Sequence, residues 1–134
     1  LQYKDRLPET FAKRAEHWYS EYFRVEQGAE AWRKGDLEAF GKLSFESGYS
    51  SIYNWETGSE ELKALYEIMS RTEGIYGGRF SGAGFKGCCM AIVDPDYEEK
   101  IVENVSREYL KAFPELEGKY SVHVSQSADG VANL

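Results

Sequence analysis

The sequence has little of several things, and each shortage excludes something. Only two of its 134 residues are cysteine, Cys88 and Cys89, and they are adjacent. On a strand they would point to opposite faces, so they are badly placed to pair, and a disulfide framework is excluded. A reducing, cytoplasmic location follows as the expectation. No apolar run approaches the length of a membrane span and no signal peptide is apparent. Cations are scarce: 16 Lys and Arg stand against 23 Asp and Glu, a formal net charge of −7. Such a surface repels nucleic-acid backbones and anionic membranes, so neither is expected as a partner, and any anion site must be local. The two histidines, His17 and His123, have no Cys, His or carboxylate at metal-ligand spacing, so no metal site is predicted on this chain. There is no internal repeat, no low-complexity stretch and no linker. The length suits one domain spanning residues 1–134. The chain opens on Leu1 and runs straight into helical sequence, which reads as a piece of a longer protein.

Aromatic residues are plentiful: ten Tyr, seven Phe and three Trp. They offer large areas to bury, and with 42% apolar residues a stable core is expected. From about Pro8 to Lys34, the residues Phe11, Ala15, Trp18, Tyr22, Val25, Ala29 and Trp32 alternate spacings of four and three. All seven share one face of a long helix, which is predicted to face the core. A coiled coil would show the same spacing, but only three heptads are present and the seam holds Trp, Tyr and Ala. Gly35 ends this helix. Asp36 caps a second one, with Leu37, Phe40 and Leu43 or Ser44 on one side, fading near Ser47-Gly48. Residues Ser47 to Gly58 read as a loop, either one that carries function or a surface connection with aromatic anchors. Ser59 or Thr57 caps a third helix, with Glu60 and Glu61 in its first turn and Leu62, Leu65, Tyr66 and Met69 on its apolar face.

The period then changes. Ile75 to Phe80 reads as a short strand, and Cys88 to Val93 as a buried one. Asp94-Pro95 opens a fourth helix with Tyr97, Ile101, Val105 and Tyr109 at spacings of four, closed by Pro114. Tyr120 to Val124 alternates like a half-buried strand, and Val131 to Leu134 reads as a candidate short final strand after an Asp129-Gly130 turn. The predicted fold class is α+β, with helices packed on one face of a small antiparallel sheet.

Between the first two strands lies Gly82-Ala83-Gly84-Phe85-Lys86-Gly87. Its G-x-G-x-x-G spacing would suit a dinucleotide only between a strand and a helix, and here a strand follows. The lysine-bearing phosphate-loop pattern is absent, since Gly87 precedes Cys88. Two readings stay open. Successive N–H groups can form an anion-binding nest flanked by Arg79 and Lys86. Alternatively, and as the commoner use of such glycines, they serve only a tight hairpin turn.

The run from Gly78 to Val93, Gly-Arg-Phe-Ser-Gly-Ala-Gly-Phe-Lys-Gly-Cys-Cys-Met-Ala-Ile-Val, strongly resembles the third signature motif of galactokinase-type GHMP kinases. Leu7-Pro8, Arg14-Ala15, His17, Arg24-Val25 and Gly35-Asp36-Leu37 with Phe40-Gly41 match the helical region of that family in order and spacing. The resemblance covers essentially the whole chain. Ser47-Gly48-Tyr49-Ser50-Ser51 and Asn54-Trp55-Glu56-Thr57-Gly58 depart from the galactokinase pattern and look more like the galacturonokinase branch, as does Lys86 in place of a glycine. The resemblance implies a C-terminal domain with a ferredoxin-like antiparallel sheet packed with helices. It implies the C-terminal half of an ATP-dependent sugar 1-kinase, of galactokinase or galacturonokinase type. ATP and Mg²⁺ would be bound mainly by an N-terminal half joined in cis, which carries the nucleotide loop and the catalytic Asp. Neither pattern occurs here, so no catalytic residue is assigned and this chain alone is expected to be inactive.

On the same resemblance, Ser81, Gly82, Ala83 and Gly84, flanked by Arg79 and Lys86, shape the sugar and phosphate pocket. Lys86 could meet the carboxylate of a uronic acid such as galacturonate, or could simply point to solvent. A non-catalytic relative that senses sugar and nucleotide is the alternative function. His17 and His123 are expected to be structural or exposed, and Cys88 and Cys89 to be buried inert thiols.

Overall fold

The computed structural model describes residues 4–129. A 3-10 turn, Lys4–Arg6, precedes α1 (Glu9–Lys34), α2 (Leu37–Tyr53) and α3 (Glu60–Ser70). The strands β1 (Ile75–Phe80) and β2 (Cys89–Val93) follow, then a 3-10 turn, Pro95–Tyr97, leading into α4 (Glu98–Ala112) and a last turn, Pro114–Leu116. The strands form a two-stranded antiparallel sheet, with Phe80 opposite Cys89, Arg79 opposite Met90 and Ile75 opposite Val93, and an irregularity between Ile75 and Gly77. The α+β reading holds. Among the described residues no helix is long and apolar enough to cross a membrane.

The helix ends are local chemistry. Gly35 sits at φ 70° and its N–H bonds Trp32 O, while Asp36 N–H reaches back to Ala31 O, the paired closure that a left-handed glycine permits. Asp36 caps α2 by accepting from Ala39 N at 2.9 Å, and Ser59 caps α3 through Leu62 N at 3.4 Å. Asp94 accepts from Asp96 N at 3.0 Å, so the Asp-Pro signal opens a 3-10 turn that feeds α4.

Two apolar clusters form the core. One joins Ile52 of α2, Leu62 and Tyr66 of α3 and Phe80 of β1. The other joins Ile68 of α3 with Ile101, Val105 and Tyr109 of α4, and Leu65 touches both. Each fully buried Leu, Ile or Phe contributes about 1.5–3 kcal/mol.

Four expectations are corrected. The aromatic stripe of α1 faces outward: Phe11, Trp18, Tyr22, Val25 and Trp32 are all exposed. The face that meets α2 is small and polar instead. Gly28 and Ala31 are buried there, and a Cβ on Gly28 would stand 3.5 Å from the Phe40 ring, so only small residues let the helices approach. Residues Ser47 to Tyr53 are helical, not loop. Their small side chains allow close packing: a Cβ on Gly48 would lie 2.6 Å from the Tyr66 ring. β2 is half-exposed, with Met90 open to solvent, because the two-stranded sheet is covered on one side. Finally, Tyr120 to Val124 carries no strand ladder, although Tyr120 and Val122 do pack on the α4 cluster. The predicted strand Val131 to Leu134 lies outside the described residues.

Candidate functional site

The glycine run is a hairpin with an open tip. Ser81 N–H bonds Cys88 O at 2.9 Å and closes its base. Phe80, 1% exposed, is the pillar beneath it. A Cβ on Gly84 would lie 2.7 Å from the Phe80 ring, so glycine is demanded there by contact as well as by its φ of 75°. Ser59 N donates to Gly84 O at 2.7 Å, which ties the loop to the start of α3. Gly82 and Gly87 also have positive φ, yet a Cβ on either would meet nothing within 4 Å. Their faces are therefore open to an incoming group.

Ser81, Gly82, Ala83 and Lys86 are exposed on this tip and Gly84 is buried beneath it. Among the described residues, no backbone N–H from Gly82 to Gly87 has an acceptor, and Lys86 has no ion pair. A set of N–H donors on left-handed turns, with a lysine beside it, can receive an oxyanion. Arg79 is placed elsewhere. Its guanidinium leaves the hairpin base toward α2 and α1, donating to Ser47 Oγ, lying 3.5 Å from Ser51 Oγ and 3.8 Å from Glu21 Oε2.

That guanidinium belongs to a polar brace between the first two helices and β1, which the sequence reading did not find. Ser47 Oγ donates to Glu21 Oε2 at 2.7 Å, and Arg24 also pairs with Glu21. His17 Nδ1 lies 2.9 Å from Ser50 Oγ, and Asn54 Nδ2 donates to the same oxygen at 3.1 Å. Burial, then the nearby Arg24 and Arg79, hold the His17 pKa below its ordinary value. Arg14 donates to Asn54 O and to Glu56 Oε2 and lies over the Trp55 ring at 5.5 Å. Glu56 is held in a left-handed backbone at φ 60°, and hydrogen bonds from Arg14 and Lys13 keep its carboxyl below the usual range. One signal was available: His17, Glu21, Arg24 and Gly28 repeat at four, three and four residues, a second face of α1 about 100° round from the aromatic one.

An open groove of about 590 Å³ adjoins this brace, lined by residues that include Arg24, Lys42, Tyr49, Ser50, Asn54 and Tyr76. It contains no residue of the hairpin. Of the two cysteines, Cys89 is half-buried and burial pushes its thiol up to about 12, which keeps it protonated and inert. Cys88 is exposed, contrary to the expected burial, because it sits on the hairpin's outer rim ahead of β2.

The family model "GHMP kinases C terminal" matches residues 29–112. The chain is 49% identical over 136 residues to the galacturonokinase of Arabidopsis thaliana, covering 98% of this chain and 32% of that protein. It is 32% identical over 131 residues to the galactokinase of Bos taurus, with the same coverage on both sides. A crystal structure of Lactococcus lactis galactokinase complexed with galactose matches with a TM-score of 0.75 and 33% identity, over 80% of this chain and 28% of that one. The chain thus spans about a third of the length of the curated relatives it matches.

Proposed function

The chain belongs to the GHMP kinases, and from that membership we propose that it is the C-terminal domain of an ATP-dependent sugar 1-kinase acting on galacturonate, to which it contributes the glycine hairpin of the active site. In this reading the full-length protein moves the γ-phosphoryl group of ATP to the anomeric hydroxyl of the sugar. ATP and its Mg²⁺ are held mainly by the N-terminal remainder of the polypeptide, which also supplies the catalytic carboxylate.

The observation that carries the proposal is the hairpin tip, where the backbone N–H groups from Gly82 to Gly87 have no acceptor among the described residues and the loop stands on the buried Phe80. Phosphoryl transfer depends on positioning and on donors placed where negative charge develops. Donors fixed by a closed hairpin base and by Gly84 O on the α3 cap need little reorganisation to do this. Ser81, Gly82, Ala83 and Gly84 form the pocket wall. Lys86 lies beside it and meets the carboxylate of the uronic acid through a charge-assisted contact. Arg79 acts as a positioning residue, since its guanidinium is engaged by Ser47 and Glu21 and fixes the hairpin to the helices. The 49% identity to a galacturonokinase supports galacturonate over galactose.

The test is ADP release by the full-length protein with galacturonate, galactose and glucuronate. Turnover is expected on galacturonate, and Lys86→Gly should lower kcat/KM for it about tenfold or more, the value of one charged hydrogen bond, while sparing galactose. Turnover on galactose alone would overturn the choice of sugar. No turnover on any of the three would overturn the kinase reading in favour of a sensor.

A further inference from the structure

The aromatic stripe of α1 is the largest feature that the proposed active site leaves unused. Phe11, Trp18, Tyr22, Val25 and Trp32 are 56–69% exposed, and Tyr19 and Phe23 flank them. From Phe11 to Trp32 the stripe runs about 32 Å at 1.5 Å per residue. A contiguous apolar face of this size on a folded chain marks an interaction surface. The described residues leave most of it uncovered: α1 packs on α2 through the adjacent face that holds Glu21 and Gly28, Trp32 at the end of the stripe meets the Phe40 ring of α2 at 5.0 Å, and the turn Lys4–Arg6 reaches α1 through the Lys4–Glu16 pair.

Resting on the reading of this chain as one domain of a longer kinase, we propose that the stripe is an interdomain seam, covered in the full-length protein by a helical segment of its N-terminal part. Three observations select this occupant. First, α1 (Glu9–Lys34) is the first long helix of the chain, so on this reading Phe11, Trp18, Tyr22 and Val25 lie next to the part of the polypeptide that comes before it. Second, about two thirds of the length of the relatives lies outside the stretch they share with this chain, which is enough to supply a covering layer. A segment tethered in the same polypeptide sits at millimolar effective concentration, ahead of any second copy. Third, the spacing of four and three keeps the apolar side chains on one side along the length of α1, and a straight ridge of this kind packs along a second helix crossing at about 20°.

The experiment uses the full-length protein and the rate of maleimide labelling, read by mass spectrometry on the peptide holding each introduced thiol. Val25→Cys is close to isosteric and lies mid-stripe, Ala29→Cys is a second stripe position, and Lys111→Cys on α4 is the exposed control. Both stripe thiols are expected to react on the order of a hundredfold slower than the control, at every protein concentration, as protection by a folded interface requires. Equal rates would overturn the proposal. Protection that vanishes on dilution, together with a dimer mass, would also overturn it and assign the stripe to a second copy. If the stripe variants fail to fold, hydroxyl-radical footprinting of the unsubstituted protein decides the matter: Trp18 and Tyr22 oxidised as slowly as the buried Tyr66 support the seam, and oxidation at the rate of an exposed Trp55 overturns it. The readout is independent of turnover. A full-length protein inert toward sugars but protected at position 25 would sink the kinase reading and keep the seam, and an active enzyme labelled freely there would do the reverse.

Discussion

Phe80 and the glycines around it set what the hairpin tolerates. At Gly84 an added methyl would sit 2.7 Å from the Phe80 ring, on a backbone at φ 75°. At Gly82 the same methyl would meet nothing, on a backbone at φ 69°. Left-handed strain alone is about 1–2 kcal/mol, and forced overpacking adds about 1–3 kcal/mol. Thermal unfolding should therefore show Gly84→Ala losing clearly more stability than Gly82→Ala. His17 gives a second prediction at this scale. Its folded pKa lies below 6.5, chiefly because the ring is partly buried beside Arg24 and Arg79. The unfolded state then binds the proton first, so the stabilisation is complete above about pH 6.5 and is lost as pH falls toward the folded value. His17→Gln should flatten that part of the stability–pH profile, and an unchanged slope in urea titrations from pH 7 to 5 would contradict the assignment. Both effects turn on long-range neighbours. The glycine pattern of the hairpin was visible in sequence, but Phe80 as its support was not, because only the fold brings the ring under Gly84.

Elements whose ends are fixed by local chemistry were the legible ones. Gly35, Asp36, Ser59 and Asp94 mark boundaries through hydrogen bonds to residues at most five positions away. Errors arose where a distant partner decides. Ser47 to Tyr53 looks like a loop because Ser and Gly are poor helix formers, yet α2 continues there since those small residues are what β1 and α3 can approach. Gly41 shows how tight the contact is: a Cβ would lie 2.2 Å from Tyr76 O, and on the strand side a Cβ on Gly77 would lie 2.0 Å from Gly41 O. Alanine gains about 1 kcal/mol of helix propensity over glycine. A clash with backbone cannot be relieved by a side-chain rotation, so it outweighs that gain. Gly41→Ala is expected to destabilise by about 1–3 kcal/mol in chemical unfolding, and a neutral or stabilising result would contradict the α2–β1 packing. Over Tyr120 to Val124 the alternation holds for burial only at Tyr120 and Val122, while Val124 is exposed. Those two residues pack on the α4 cluster with no ladder, because apolar alternation reports a buried face and not a strand partner.

At the scale of the whole molecule, two surfaces stand apart. The hairpin tip presents donors, and the outer face of α1 presents aromatics. The glycine hairpin was legible because Gly82, Gly84 and Gly87 lie within one six-residue run. The polar brace of His17, Glu21, Ser47 and Arg79 was not, since it is assembled from three elements up to 62 positions apart and its members carry no shared motif. The central claim is that the hairpin tip meets the reacting groups of a sugar kinase. Steady-state ADP release by full-length Gly82→Asn tests it most directly. Asparagine accepts a left-handed backbone with little strain, and position 82 has open space around it, so the melting temperature should stay within a few degrees of the parent. The account predicts that kcat/KM for the sugar falls about a hundredfold or more, because a side chain now fills the approach to the N–H donors. A folded variant with parental kcat/KM would contradict it and leave the glycines of the tip with no role beyond the turn.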